Sequence, residues 1–166
     1  MKYWKAGLIF LVAFLIQNSL LNAISIFGYT PNLLLCLVVV FAFLYEDKMY
    51  GIIYGTVFGL LYDICYSNVV GPTPIALVVI AFCVVFARDY ANNENVVNLW
   101  IVSVIAFIGY YVLNWGLFRI AGNPVGLPVV FGMLPWVTLY SLVVITILYK
   151  ILIKQVVRYH RDRYFR

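Results

Sequence analysis

AGLIFLVAFLIQNSLLNAISIFGYTPNLLLCLVVVFAFLY, residues 6–45, is a run of 40 residues without Asp, Glu, Lys or Arg. A membrane-spanning helix needs about 20 apolar residues at about 1.5 Å rise each, so this run holds two helices. The break between them is Gly28-Tyr29-Thr30-Pro31-Asn32, where Gly and Pro end one helix and Asn opens the next. Three further charge-free runs follow: 24 residues from Ile64 to Ala87, 24 from Asn95 to Phe118 and 30 from Ile120 to Tyr149. Lipid offers backbone groups no hydrogen-bond partner, and the runs lack the polar/apolar alternation of a barrel strand, so helices are expected.

The reading is one polytopic all-α membrane domain over residues 1–166. Six spans are expected at about 6–27, 32–45, 49–67, 73–88, 96–118 and 133–153, followed by a basic tail, 154–166. The second is short and is expected to tilt little or to be flanked by interfacial residues. Composition agrees: 66% of the residues are apolar or aromatic, 10% are charged, and mean hydropathy is +1.02. A chain this size buries only about 70% of its surface in water, too little to hide that much apolar area. A disordered chain and a disulfide scaffold are excluded for related reasons.

The net charge of +5 reads as topology, not as a nucleic-acid surface. With six spans, Lys2, Lys5, Lys48, Arg88 and the six basic residues from Lys150 to Arg166 share one side, leaving Arg119 on the other. The positive-inside rule then puts both termini in the cytoplasm. Lys150, Lys154, Arg158 and Arg161 are expected near anionic headgroups. Trp4 and Trp100 mark the inner interface, Trp115 and Trp136 the outer one. The first helix is expected to stay in the protein as a span: its apolar run is too long for a secretory signal, and Leu21-Asn22-Ala23 is a poor cleavage site.

The richest local pattern is Gly51-x3-Gly55-x3-Gly59-x3-Asp63. On a helix these glycines form a ridge without side chains, along which another backbone can approach closely. The ridge predicts a tight contact, either within the chain or with a partner helix. Asp63 is the only carboxylate inside an expected span and must reach water, find a partner or take up a proton. Arg119 ends the fifth helix at a similar depth. The two are expected to pair, directly or through Asn114; the alternative is that Arg119 reaches to the headgroups. Gln17, Asn18, Asn22, Asn32, Thr138 and Ser141 fall in the middle or outer half of other helices, and convergence with Asn114 into an outer polar cluster is expected.

No catalytic, metal or cofactor pattern appears. His160 is alone in the tail, and Cys36, Cys65 and Cys83 form no CxxC pair. HExxH, GxSxG and a phosphate-binding Gly-Lys loop are missing.

Gln17-Asn18-Ser19-Leu20-Leu21, Pro31-Asn32-Leu33-Leu34-Leu35 and, above all, the Gly51–Asp63 run with Gly71 beyond it resemble the bacterial rod shape-determining MreD family. The resemblance implies a non-enzymatic scaffold in the bacterial cytoplasmic membrane. Its implied partners are MreC, bound directly, and MreB, RodZ and RodA with its transpeptidase, the machinery of side-wall peptidoglycan synthesis. It further implies an architecture like that of the substrate-binding subunits of energy-coupling-factor vitamin transporters, so a small-molecule-binding subunit is the alternative. The Ala-x3-Ala pair those subunits carry on helix one is missing: Ala6 is followed at +4 by Phe10, and Ala13 by Gln17. A docking segment from a partner is expected near the outer ends of helices one and three.

Overall fold

Leu33 to Leu44 reads Leu-Leu-Leu-Cys-Leu-Val-Val-Val-Phe-Ala-Phe-Leu, apolar on every face, and a helix apolar all round must lie inside something. In the computed structural model it lies inside the protein. The structure describes residues 3–19, 30–45, 47, 49–90, 95–122 and 125–164, with backbone alone at 18–19 and 154–164. Six helices occur among these residues: α1 (Tyr3–Ser19), α2 (Leu33–Leu44), α3 (Met49–Tyr66), α4 (Pro72–Tyr90), α5 (Val96–Ile120) and α6 (Leu127–Tyr164). The central helix is α2, which touches each of the other five, and eleven of its twelve residues are buried.

Four helices, α3 to α6, are long and apolar enough to cross a membrane. At 12 residues α2 is about 18 Å long, well short of a roughly 30 Å hydrocarbon core. Neighbouring helices surround it. The outer helices carry the lipid-type surface. Ile53, Val57, Leu60 and Ile64 of α3, Ile101 and Ile105 of α5, and Val143, Ile147 and Ile151 of α6 are all exposed.

Boundaries for α2 to α5 fall within two residues of the expected ones. The expected end of the first helix, 20–27, lies outside the described residues. The last helix is corrected most, since it begins at Leu127 and continues to Tyr164. Pro128 is its second residue, where no N–H is needed, so the Gly-Pro-rich stretch before it does not delay the helix. Pro135 lies inside α6 and leaves the Phe131 carbonyl without its usual donor.

The glycine ridge explains the tightest packing. A Cβ at Gly51 would stand 3.1 Å from Ala42 Cβ, and one at Gly55 would stand 3.1 Å from a Val38 methyl. At Gly59 it would stand 2.9 Å from both Pro74 Cα and Leu77 Cδ1. The ridge thus passes from α2 to α4 of the same chain. Aromatic rings join α1 to α3: Phe10 packs on Tyr54 and Phe58, and Phe14 on Phe58 and Tyr66. Tyr3 stacks on Tyr50 and donates its hydroxyl hydrogen bond to Asp47.

The three glycines therefore differ in what a methyl group would cost. Gly59→Ala meets backbone and is expected to lose about 1–3 kcal/mol, the range for overpacking. Gly55→Ala meets a movable methyl and gains helix propensity of up to about 1 kcal/mol, so its net change is expected to be small. Gly116→Ala, with open space around it, is the reference. Thermal melts of the full chain in detergent check the order, with Gly59→Ala lowest; equal melts for the two ridge variants would contradict it.

Candidate functional site

Helix ends buried in a membrane leave backbone donors and acceptors that water cannot reach. Three of the polar residues singled out from the sequence, Gln17, Asn32 and Asp63, meet this need. Asp63 is fully buried at the end of the ridge, and its Oδ2 accepts the N–H groups of Gly71 (2.9 Å) and Thr73 (3.0 Å). These residues open α4. Pro72 and Pro74 have no N–H, so the Gly-Pro-Thr-Pro sequence reduces the donors of the first turn, and one carboxylate oxygen serves both that remain there. Gly71 has φ +124°, a backbone region that favours glycine. The Asp63 carboxyl group also sits at the positive end of the α4 dipole.

Both ends of α2 are closed by side chains. Asn32 Oδ1 accepts the Leu35 N–H at 3.0 Å, a local N-cap. Gln17 reaches across from α1: its Oε1 accepts the Leu33 N–H at 2.6 Å and its Nε2 donates to the Pro31 carbonyl at 3.3 Å. At the other end Arg88 of α4 donates to the carbonyls of Ala42 (3.5 Å) and Tyr45, placing a cation at the negative end of the α2 dipole. Sequence reasoning used Arg88 only for topology. Its capping role joins residues 43 or more positions apart and leaves no local signal.

The expected Asp63–Arg119 pair is corrected: the hydrogen bonds of Asp63 go to the start of α4, and its Oδ1 is buried without a partner. The outer polar residues divide into two groups. Asn32 and Thr73 lie beside the Tyr110 hydroxyl, which brings the starts of α2 and α4 and the middle of α5 together near Asp63. Asn114 and Arg119 belong to the second group. They line a half-open cavity of about 170 Å³ between the end of α5 and the start of α6, with Tyr111, Trp115, Phe118, Val125, Val130 and Met133. Trp115 Nε1 donates to the Val125 carbonyl at 2.9 Å and ties the connecting segment to α5. Tyr111 also lies beside Asn32, so it borders both groups.

Thr138 and Ser141 of α6 are buried, and their hydroxyl oxygens have no hydrogen-bond partner. The Ser141 carbonyl faces Cys36 Sγ of α2 at 3.8 Å. Asn22 lies outside the described residues, as do the side chains of Asn18, Lys154, Arg158 and Arg161. Lys150 is exposed in the second half of α6. Among the described residues no three His, Cys, Asp or Glu side chains gather as a metal site would require.

Buried caps, a glycine-packed core and lipid-type outer faces define a polytopic helical membrane protein whose Asp63 and Arg88 hold its own helices. A family model for the rod shape-determining protein MreD matches residues 1–159, and the chain belongs to that family. No curated protein and no solved structure matches it. It is accordingly a rod-shape-determining membrane protein.

The capping role of Asp63 has a clear chemical test. An Asn oxygen still accepts both N–H groups, whereas Leu leaves them buried and unpaired, at about 1–3 kcal/mol. Asp63→Asn is expected to keep most of the thermal stability of the full chain in detergent, and Asp63→Leu to lose it. Equal losses for the two would mean that charge, not hydrogen-bond acceptance, is what the site needs.

Proposed function

We propose that this chain is a non-enzymatic scaffold of the cell-elongation complex, binding MreC directly and helping to direct side-wall peptidoglycan synthesis. The match to the MreD family over residues 1–159 carries this reading. RodA with its transpeptidase, RodZ and MreB are its further partners, in direct contact or through MreC. In this reading the chain sits in the bacterial cytoplasmic membrane with six spans and both termini inside. The basic side chains Lys150, Lys154, Arg158 and Arg161 then lie at the inner headgroups.

The ridge face of α3 is filled by α2 and α4, so the partner segment needs another surface. The remaining face of α3 near its end has Leu60, Ile64 and Cys65 exposed, and α1, which packs on α3 through Phe14 against Phe58 and Tyr66, has Leu11 and Leu15 exposed. A single spanning helix can lie along this strip without disturbing the caps. The cavity at Asn114 and Arg119, at about 170 Å³, is smaller than the roughly 300–1,000 Å³ that drug-sized ligands occupy.

Native Cys65 provides the test. Thiol cross-linking in membranes, with single cysteines stepped along the MreC span, is expected to capture MreC through Cys65. Cys83, exposed on α4, is expected to give no adduct. Replacing Ile64 with Trp should reduce MreC recovery and round the cells of the native host at unchanged protein level, while Val143→Trp on α6 should not. Normal rods and full MreC recovery with the Ile64 variant would remove this docking surface. Normal rods after depletion of the protein itself would remove the scaffold reading.

A further inference from the structure

We propose that the cavity between the end of α5 and the start of α6 seats the headgroup of an acidic, hydroxyl-bearing phospholipid of the phosphatidylglycerol type. Three observations bear on the occupant. Arg119 lines the cavity, and it is the only Lys or Arg between Arg88 and Lys150 in the sequence, so it supplies the cationic charge at this end of the bundle. A guanidinium matches a phosphate by charge and by the fork of its N–H groups. Asn114, five residues earlier on α5, also lines the cavity and has a buried side-chain oxygen without a hydrogen-bond partner. That atom calls for a donor, which a glycerol hydroxyl provides and a choline headgroup does not. The rest of the wall is largely apolar, with Trp115, Phe118, Val130 and Met133, and suits the glycerol backbone and the first methylenes of the chains.

Size agrees with a headgroup. About 170 Å³ corresponds to five or six waters at about 30 Å³ each, too small for a whole lipid. A half-open cavity lets the acyl chains leave toward the bilayer while the polar end stays inside. This inference is independent of the partner reading, because it concerns α5 and α6, not the strip on α1 and α3.

Native mass spectrometry of the full chain in non-ionic detergent, titrated with phosphatidylglycerol or phosphatidylcholine, tests the site. The first phosphatidylglycerol is expected to bind about tenfold more tightly than phosphatidylcholine. Arg119→Gln and Asn114→Leu should each reduce that preference about fivefold. Removing the orphan oxygen should leave thermal stability without lipid equal or higher, so loss of binding by Asn114→Leu is not explained by unfolding. Lys5→Gln, an exposed cation at the start of α1, should change nothing. Equal binding of the two lipids, or an equal effect of Lys5→Gln and Arg119→Gln, would overturn the proposal. Displacement of bound lipid by soluble glycerol phosphate would transfer the site to a soluble anion and overturn it as well.

Discussion

A short helix wholly enclosed by other helices within a membrane must have both its ends closed by protein. This constraint on α2 organises the rest of the molecule. An unpaired backbone group in hydrocarbon costs several kcal/mol. Gln17 and Asn32 close one end and Arg88 the other. Each cap from outside α2 also fixes a neighbour, since Gln17 belongs to α1 and Arg88 to α4. The same solution recurs at α4, whose start is closed by Asp63 of α3. The charges that would be costly in lipid are placed at helix ends of opposite partial charge.

The glycine ridge and the caps act together. Close approach of α3 to α2 and α4 brings the end of the ridge to the start of α4, and there the side chain changes from none to a carboxylate. A larger residue at Gly59 would meet the backbone at Pro74, next to the N–H that Asp63 accepts. The ridge is an internal seam.

Much of the helix plan was legible in the chain because charge is excluded from hydrocarbon. Runs without charge therefore mark helices, and four of the six expected segments agree with the structure to within two residues at each end. The start of α6 was misjudged because Gly126 and Pro128 read as loop, whereas Pro at the second helical position costs no hydrogen bond. The polar residues were recognisable as costly, and so as needing partners. Which partners they have was not legible: Asp63 and Arg119 look complementary by sign and depth, yet Asp63 is taken by two backbone N–H groups.

By itself, the sequence determined that this is a helical membrane chain, that its third helix packs closely through Gly51, Gly55 and Gly59, and that Asp63 cannot face lipid unaided. Hydropathy and side-chain size decide such matters residue by residue. Only the tertiary structure decided that α2 is the centre, that Arg88 closes it, and that Asn114 and Arg119 border a cavity apart from Asp63. Those facts depend on which helix ends meet in space, and contacts between residues tens of positions apart leave no periodic trace in the chain.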